Sequence, residues 1–483
     1  MHESISGRIG NSSGLFTFQH LQSLNLAYNY FEEAQIPSRL ANLNNLTYLN
    51  LSKAGFGGEI PIEISSMTRL VTFDLSTLYT RTLLADPISK LGIPNLKALV
   101  QNFSELREHL DSSDQQSLLH QLKNSLIFNS TLSLRLVQWN QSTDCCAWSG
   151  VDCDMAGRVI GLDLSEESIY GGIDNSTSLF ALQHLWSLNL AFNLFDRAKN
   201  IPSRLANLTN STYLNLSYAG FEGQIPIEIS SLTRLVTLDL SCSYTARLLL
   251  ENPNLKVLVQ NFNELRELYL DGVYISAHGN EWCQALSSSL PNLQVLSLSY
   301  CSLSGHIHSS LADLQSLSVI RLDGNDLSSP VPEFLADFPS LTILSLAYCG
   351  LYGKLSENIF KVSTLETLDL SSNDLHHGSF PDFPQNNSLR TLVLHNISLS
   401  GTLAHSIGNL KSLSKLDLGQ CNFTGPLPIS MGNLTQLKYL ALSVNSFTRP
   451  LPPSMGNLTQ LEHLDLSFNS FNGPLPPSMG NLT

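Results

Sequence analysis

The stretch Leu461-Glu-His-Leu464-Asp-Leu466-Ser-Phe-Asn469-Ser-Phe471 contains the pattern L-x-x-L-x-L-x-x-N, from which the type of fold can be predicted. The pattern L-x-x-L-x-L, with Leu or Ile in its fourth position, recurs upstream at a spacing of about 24 residues, starting at Leu293, Leu317, Leu341, Leu365, Leu389, Leu413 and Leu437. Less regular units start at Val159, Leu185, Ser211, Leu235 and Leu265. A fixed period of this length is typical of a repeat solenoid, in which each unit stacks on its neighbours.

Each L-x-L segment is expected to be one short strand. Its two leucines point inward, and the residue between them points outward, because side chains alternate along a strand. Stacking about 4.8 Å apart would then give roughly thirteen parallel strands, or rungs, from Val159 onward. The sequence therefore predicts an α/β repeat solenoid of horseshoe or superhelical form, and we call the outward side of its parallel sheet the concave face.

The asparagine of each pattern is predicted to turn the chain out of the strand while its amide satisfies backbone groups of the adjacent rung. The residues concerned are Asn193, Asn325, Asn373, Asn445 and Asn469. Cysteines Cys301, Cys349 and Cys421 occupy the same position. We expect these three to be buried thiols acting as weak S–H donors, because rungs separate them too widely for a shared metal.

Composition and charge argue against several classes of function. The 483 residues include 26 Lys and Arg against 40 Asp and Glu, a formal net charge of −14, with only 14% charged residues. No basic run is present, so nucleic acid is a poor candidate partner. No apolar stretch is long enough to span a bilayer, and the first residues lack the pattern of a secretory signal. These features alone would place the chain in the cytosol.

Acceptor sequons Asn-x-Ser/Thr, which recur along the chain, favour a secreted origin instead. We predict glycosylation at Asn129, Asn140, Asn175, Asn207, Asn396, Asn422, Asn433 and Asn457.

Several repeats continue with Gly and Ile/Leu-Pro, as in Gly223-Gln-Ile-Pro226 and Gly473-Pro-Leu-Pro476. This continuation resembles the plant-specific subclass of leucine-rich repeats, which implies a second short strand and loose helical turns after each rung.

A different segment, 111–158, interrupts the repeats. Ser113-Asp-Gln-Gln116 has the form of a capping box and is expected to start an amphipathic helix. Trp139 and the stretch Cys145-Cys146-Ala-Trp148-Ser-Gly-Val-Asp-Cys153 follow. Together they resemble the plant leucine-rich-repeat N-terminal cap, and the resemblance implies a Cys146–Cys153 disulfide. The family's further cysteine is absent before the helix, so Cys145 is expected to be unpaired. Zinc is a disfavoured alternative, because no second Cys/His pair has ligand spacing.

Residues 3–108 look like a second copy of residues 167–267. For example, Leu21-Gln-Ser-Leu24-Asn-Leu26 matches Leu185-Trp-Ser-Leu188-Asn-Leu190. The predicted domains are therefore 1–110, an uncapped partial repeat block; 111–158, a cap placed in mid-chain; and 159–483, an array of about thirteen repeats that stops in mid-repeat. A fusion of two fragments explains this order, and the uncapped block is expected to be poorly soluble on its own.

Three longer segments resemble plant receptor-like proteins of the Verticillium-wilt resistance type: Glu167-Ser-Ile with Gly171-Gly-Ile-Asp174, the stretch 280–290, and the stretch 318–325. The resemblance implies the extracellular part of a cell-surface receptor in plant defence. Such a receptor binds a pathogen-derived protein or peptide and signals through receptor-kinase co-receptors, and its membrane helix lies outside this chain. Two alternatives stay open: a secreted inhibitor of microbial cell-wall hydrolases, and a truncated or fused product without function.

The concave face is the predicted ligand-binding surface. Candidate residues are Phe192, Tyr218, Tyr300, Tyr348 and Phe468 just before the asparagine position; Tyr269 and Tyr439 at the middle strand position; and the polar residues Arg321, His395, Lys415 and His463. Outward carboxylates such as Asp369, Asp417 and Asp465 fall on alternate rungs, roughly 10 Å apart, which is too far for a retaining glycosidase pair. We expect solvated carboxylates, no enzyme activity and no cofactor.

Overall fold

A computed structural model gives the structure of the chain and describes residues 14–18, 20–27, 29, 31, 35–51, 54, 56, 61–67, 69, 72–74, 104–175, 177–195, 200–243, 247–377 and 380–481. The chain divides into two compact units. One comprises residues 1–119, 144–146 and 152–159, and the other comprises residues 120–143, 147–151 and 160–483.

The first block contains three parallel rungs, β1 (Ser23–Asn25), β2 (Tyr48–Asn50) and β3 (Thr72–Asp74), with Leu24 paired in register with Leu49. Each of the three strands is preceded by a 3-10 helix: Gly14–Thr17, Ser38–Asn42 and Ile62–Ser66. Phe31, Leu43 and Leu46 are among the buried residues of its core. This block is therefore built from repeat units. The expectation that it has no cap concerns residues 1–13, which lie outside the described residues.

The cap helix α1 (Ser104–Ser125) begins nine residues before Ser113, so the expected start at a capping box there is wrong. Residues 104–112 include no Pro or Gly, and several of them are good helix formers, so the helix extends upstream of Ser113. A short strand, β4 (Ile127–Phe128), follows and pairs antiparallel with β7 (Ile169–Gly171). The predicted boundary between residues 110 and 111 falls inside α1.

The concave sheet of the array has fourteen strands, and the thirteen from β6 onward pair in parallel. The strands are β5 (Val151–Cys153), β6 (Val159–Asp163), β8 (Ser187–Asn189), β9 (Tyr213–Asn215), β11 (Thr237–Asp239), β13 (Glu267–Tyr269), β15 (Val295–Ser297), β16 (Val319–Arg321), β17 (Ile343–Ser345), β19 (Thr367–Asp369), β21 (Thr391–Val393), β24 (Lys415–Asp417), β26 (Tyr439–Ala441) and β28 (His463–Asp465). The predicted parallel repeat sheet is confirmed, with its central leucines buried from Leu162 to Leu440.

Short second strands follow many rungs, as the plant-type repeat implies. They are β10 (Gly223–Gln224), β12 (Leu248–Leu250), β14 (Tyr274–Ile275), β18 (Tyr352–Lys354), β20 (Asp374–His377), β22 (Ser398–Leu399), β23 (Gly401–Thr402), β25 (Phe423–Gly425), β27 (Ser446–Arg449) and β29 (Ser470–Phe471). The helical side of the array carries 3-10 helices Ser178–Ala181, Ser203–Asn207, Ile227–Ser231, Ser309–Asp313, Glu333–Asp337, Glu357–Lys361, His405–Asn409, Ile429–Asn433, Pro453–Asn457 and Pro477–Asn481. Two α-helices, α2 (Leu255–Val259) and α3 (Gly279–Ser289), take this place in two neighbouring repeats.

The asparagines join successive rungs as predicted. Asn373 Nδ2 donates to Leu346 O of the preceding rung (2.8 Å) and to Leu370 O of its own rung (2.9 Å). Its Oδ1 accepts from the backbone N–H groups of Cys349 (3.0 Å) and Leu351 (2.9 Å). One buried side chain thus satisfies four backbone groups that no strand partner reaches.

The cysteines at the same position replace only the donor part of the asparagine side chain. The Sγ of Cys301, Cys349 and Cys421 donates to the backbone carbonyls of Leu270, Leu322 and Leu394, at 3.0, 3.1 and 2.9 Å. Burial raises the pKa of the Cys349 and Cys421 thiols to about 12, so both stay protonated and able to donate. Each of the three cysteine rungs is followed by an asparagine rung, whose Oδ1 accepts from the cysteine N–H.

A buried acid holds the turn that precedes a short cap helix. Glu167 is 1% exposed, and its carboxylate accepts from the backbone N–H groups of Leu134 (3.3 Å), Arg135 (3.0 Å) and Leu136 (3.1 Å). Ser133 Oγ donates to the same carboxylate. These groups lead into the 3-10 helix Leu136–Gln138, whose first N–H groups have no partner within the helix. Glu167 therefore ties this turn to the first repeat of the array.

The two tryptophans of the cap motif stack on one another. The Trp139 and Trp148 rings are 5.1 Å apart, with an interplanar angle of 25°. Trp139 Nε1 donates to Ser149 O, and Trp148 Nε1 donates to Thr143 Oγ1, each at 3.0 Å. Both indoles thus bury their rings and satisfy their only polar group, which explains why this part of the cap needs tryptophan.

Cys146 and Cys153 are joined by a disulfide, while Cys145 is a buried cysteine outside any disulfide. Burial, followed by the nearby Asp144 carboxylate, raises the pKa of the Cys145 thiol to about 11. The side chains of Asp144, Cys145 and Cys146 lie close enough to suggest a metal site. The sulfur of Cys146 is already in the disulfide, however, and so offers no thiolate to a metal.

Candidate ligand-binding face

The outward residues of the concave face form two columns, one on each side of the buried strand leucine. Lys415, Tyr439 and His463 are in register in the column before the leucine. Tyr269 pairs with Ser297 and belongs to the column after it. The expectation that Tyr439 shares the position of Tyr269 is therefore wrong. Tyr439 comes directly before Leu440, the first leucine of its L-x-L segment. The position between Leu440 and Leu442 is occupied by Ala441.

Tyr439 contacts both Lys415 and His463, its neighbours on the rungs before and after it. The Tyr439 and His463 rings stack at 4.4 Å with an interplanar angle of 7°. Lys415 Nζ lies 5.2 Å from the centre of the Tyr439 ring, within the range of a cation–π contact. Burial, followed by the charges of Asp417 and Asp465, raises the pKa of Tyr439. We call these three residues the basic-aromatic column.

His395 extends this surface by one rung. Its Nδ1 lies 3.5 Å from Asp417 Oδ1, and its ring sits against Gly419, where a Cβ would come within 2.8 Å of Nδ1. The side chain is about a third exposed, so it is available to a ligand. Arg321 is exposed in the other column, in register with Ser297 and Ser345.

Tyr269 and Glu267 lie beside each other on β13. Tyr269 Oη donates to Glu267 Oε2 at 3.5 Å. Burial, and then the Glu267 charge, raises the pKa of Tyr269 to about 12. This phenol is therefore neutral at physiological pH and can both donate and accept a hydrogen bond.

The outward carboxylates already have partners. Asp369 Oδ1 accepts from the backbone N–H (3.0 Å) and Oγ (2.6 Å) of Ser371, and Asp465 makes the same pair of contacts with Ser467. Register places Val393 between Asp369 and Asp417, so the expected alternate spacing holds. The expectation of solvated carboxylates does not hold for Asp369, which is half-buried, and this burial raises its pKa. These acids cap the turn after their own strand.

The aromatic residues before the asparagine position have left-handed backbones. For Phe192, Tyr218, Tyr300, Tyr348 and Phe468, φ lies between 50° and 58°, and the side chains are 41% to 80% exposed. The N–H of Tyr218 donates to Ser241 O of the next rung at 2.7 Å, and that of Tyr348 donates to Ser371 O at 3.0 Å. The turn therefore fixes the backbone and directs these side chains to the surface.

These aromatics do not form one continuous stripe. Phe192 and Tyr218 stack at 5.5 Å. The Tyr300 ring instead packs across Gly324 of the next rung, where an added Cβ would lie 2.2 Å from ring carbons. Part of the aromatic content therefore serves packing between rungs, and the open aromatic surface lies at Phe192 and Tyr218, Tyr348, and Phe468.

The sequence analysis did not identify the exposed apolar residues that lie near Phe192 and Tyr218. Trp186 is 53% exposed immediately before β8, and Leu194 is 65% exposed. Leu194 and Tyr218 line the same surface pocket. The signal for Trp186 was available in the duplicated block, because the matching position there is Gln22. An exposed Gln-to-Trp difference between otherwise similar copies points to contact with a partner.

The eight asparagines predicted to carry glycans are all exposed. Asn129 Oδ1 accepts from the N–H and Oγ1 of Thr131 in its own sequon, and Asn140 makes the same contacts with Ser142. Asn396 and Asn422 line one open groove at the turn edge of the array. None of the helices in the described part of the chain is both long and apolar enough to cross a bilayer.

Three family models match separate parts of the chain. Residues 112–154 match a leucine rich repeat N-terminal domain, residues 292–314 match a leucine rich repeat, and residues 353–474 match a leucine-rich repeat region. Together with the parallel rungs and their asparagine contacts, these matches show that the array has the leucine-rich-repeat fold.

The chain is similar in sequence to plant receptor-like proteins. It is 34% identical to Receptor-like protein 6 of Arabidopsis thaliana over 253 residues, covering 48% of this chain and 25% of the relative. It is 31% identical to Receptor-like protein Cf-9 of Solanum pimpinellifolium over 233 residues, covering 45% and 26%. The chain thus spans about a quarter of the length of these curated relatives.

Solved plant receptor structures share the fold. The Arabidopsis receptor kinase HAESA ectodomain, in complex with an extended IDA peptide hormone, matches with a TM-score of 0.62 and 26% identity, covering 76% of this chain and 67% of that one. PEPR1 with AtPEP1 matches in fold, with a TM-score of 0.54 and 22% identity, covering 99% and 73%. The curated relatives are named as receptor-like proteins, and the HAESA structure is that of a receptor-kinase ectodomain bound to a peptide hormone.

Proposed function

We propose that the array, 159–483 behind the cap 111–158, is the extracellular ligand-recognition region of a plant receptor-like protein in pathogen perception. The basic-aromatic column carries this proposal, because its side chains contact one another and stand on the open face of the sheet. The column combines a cation with two stacked rings, and such residues anchor protein interfaces. Residues 1–110 are, on this proposal, an uncapped copy of the opening repeats.

The ligand we propose is a protein or peptide of pathogen origin. The concave face offers planar rings, a cation and turn-capping acids within a few rungs of each other, a surface that suits side chains of a polypeptide better than a buried small molecule. The HAESA ectodomain, at 26% identity, supports a peptide ligand, and the relative Cf-9 supports a receptor of the defence type. Verticillium-wilt resistance proteins are the group we propose within that type.

The signalling partner we propose is a receptor-kinase co-receptor, with membrane attachment through a segment outside this chain. A solved complex of HAESA with a peptide and the co-receptor SERK1 shares the fold and makes such a partner reasonable. Glycosylation at the eight exposed asparagines and the Cys146–Cys153 disulfide fit an extracellular location.

Binding to the concave face is tested by selecting peptides from a phage-displayed library against the full chain. We expect Tyr439→Ala combined with His463→Ala to weaken the selected peptides at least tenfold, because interface aromatics often contribute about 2 kcal/mol each. Isothermal titration of the wild-type and variant chains measures the effect.

Ile429→Ser is the matched control, since Ile429 is 70% exposed on a 3-10 helix of the helical side. The Ile429→Ser variant should bind the selected peptides with the same affinity as the wild-type chain. Selected peptides that bind the double variant as tightly as the wild type, yet lose affinity in the Ile429 variant, would place recognition on the opposite side and refute the proposed site.

A further inference from the structure

The series of asparagine contacts is interrupted on two successive rungs. The asparagine position holds Ala219 on rung β9 and Ser243 on rung β11, and both side chains are smaller than the asparagine they replace. On the preceding rung, β8, the same position holds Asn193, whose amide donates to Leu164 O and Leu190 O. The two small residues therefore leave space that asparagine fills elsewhere in the array.

A pocket of about 270 Å³ lies at this interruption, directly after the ends of β9 and β11. Its lining combines the buried side chains of Leu216, Phe221 and Leu248 with the exposed side chains of Leu194 and Tyr218. The pocket is therefore open to the surface and largely apolar inside. An engineered apolar cavity of about 150 Å³ binds benzene. The pocket thus has room for one aromatic side chain.

The residues of the pocket favour a planar ring over an aliphatic group. The Tyr218 ring stacks on Phe192 at 5.5 Å, with an interplanar angle of 12°, and is still 44% exposed. The Phe221 ring stacks on Phe195 at 4.9 Å. Cys242 also lines the pocket, and sulfur makes favourable contacts with aromatic rings. A ring from a ligand would add to this set of aromatic contacts.

Two carboxylates lie close to the pocket. Burial, followed by the charges of Asp271 and Asp239, raises the pKa of Tyr218, so both acids are within electrostatic range of its phenol. Both are half-buried, and neither forms an ion pair with any residue that the structure describes. The charge of Arg321 acts on Asp271 without such contact. A cationic group of a ligand would supply a direct partner for these acids.

We propose that the pocket receives an aromatic side chain of the polypeptide ligand, and that a lysine or arginine next to it in the ligand lies over Asp239 and Asp271. This role rests on the proposed function, because it requires a polypeptide bound to the array. It adds a contact region separate from the basic-aromatic column and specifies part of the ligand sequence, an aromatic residue beside a basic one. The net charge of −14 also favours the approach of a cationic segment.

Short blocked peptides test the pocket on the full chain labelled with 3-fluorotyrosine. Among the ¹⁹F signals of its 14 tyrosines, the one that disappears in Tyr218→Phe reports on the pocket. We expect N-acetyl-Phe-Arg-amide to shift this signal saturably. N-acetyl-Ala-Arg-amide lacks the ring and N-acetyl-Phe-Glu-amide reverses the charge, so each should bind at least about tenfold more weakly.

Variants examine the ring and the charge separately. Cys242→Met fills the pocket and should weaken N-acetyl-Phe-Arg-amide at least about tenfold. Asp239→Asn keeps an acceptor for the Ser241 N–H but removes the charge, so it should weaken the same peptide roughly threefold. Asp369→Asn on β19 is the matched control, since Asp369 accepts from the Ser371 N–H in the same way, and it should leave the affinity unaltered. Unchanged signals of the other tyrosines show that each variant is folded.

The assignment of the pocket is overturned if N-acetyl-Phe-Arg-amide leaves the Tyr218 signal in place. It is also overturned if the alanine peptide, or N-acetyl-Leu-Arg-amide, shifts that signal at the same concentrations. Either outcome leaves the peptides selected on the full chain, and their response to the Tyr439 and His463 double variant, as an independent result. The pocket and the proposed function can therefore fail separately.

Discussion

Replacing Glu167 with alanine is expected to release the cap turn from the first repeat of the array. Three backbone N–H groups and the Ser133 hydroxyl lose their shared acceptor, in a site where Glu167 is 1% exposed. Each buried donor left unsatisfied costs about 1–3 kcal/mol, although water entering the gap recovers part of this cost. We expect a loss of at least about 3 kcal/mol in the local free energy of opening.

Hydrogen exchange at the amides of Leu134, Arg135 and Leu136 measures this effect directly, because local opening controls their exchange. A loss of about 3 kcal/mol speeds exchange by more than a hundredfold. Glu166→Ala is the matched control, since the neighbouring acid is exposed and should leave these amides protected. Unchanged protection of the three amides in Glu167→Ala would show that Glu167 does not hold the cap.

The second large effect is expected at Asn373. Alanine there removes the donor for Leu346 O and Leu370 O and the acceptor for the N–H groups of Cys349 and Leu351, all in a buried position. We expect the array to lose roughly 3 kcal/mol or more of unfolding free energy. Denaturant unfolding followed by circular dichroism, together with exchange at residues 346–351, measures the change.

Cys349→Ala provides the comparison on the adjacent rung. The thiol only donates, weakly, to Leu322 O and Ala347 O. Its replacement by alanine should therefore cost about 1 kcal/mol, mostly for the lost volume and one weak hydrogen bond. Equal losses in the two variants would mean that the asparagine amide adds nothing beyond filling space.

Much of the fold follows from the sequence because its determinants repeat. The leucine spacing predicts the parallel rungs, and the position of Asn373 or Cys349 after the strand predicts their contacts with the neighbouring rung. The residues of one unit are enough to predict these rungs and contacts, because every unit has nearly the same environment as the next.

The remaining features depend on particular neighbours. Helix α1 starts at Ser104 because nothing upstream of Ser113 stops it, and a capping-box pattern alone cannot show that. Tyr439 and Tyr269 lie in different columns because Tyr439 stands before the central leucine of its strand and Tyr269 stands after it. The leucine pattern alone does not make this difference conspicuous. Whether Tyr300 faces a ligand or packs on its neighbour depends on Gly324, a residue 24 positions away.

The candidate site shows the same division. The sequence identifies Lys415, Tyr439 and His463 as separate outward residues, but their stacking depends on register between strands. Glu167 and Trp282 belong to segments noted for family resemblance, yet only packing reveals a buried acceptor in one and an unsatisfied donor in the other.

The asparagine contacts run in one direction, from each rung back to the rung before it. Asn325, Asn373 and Asn445 each bring the groups that the preceding rung requires. A unit of about 24 residues that ends in such an asparagine therefore brings with it the groups that a preceding rung requires, so unequal recombination can insert it without leaving the backbone of that rung unpaired. A gene lineage can in this way lengthen its array and vary its exposed residues, while each added unit keeps its contacts with the rung before it.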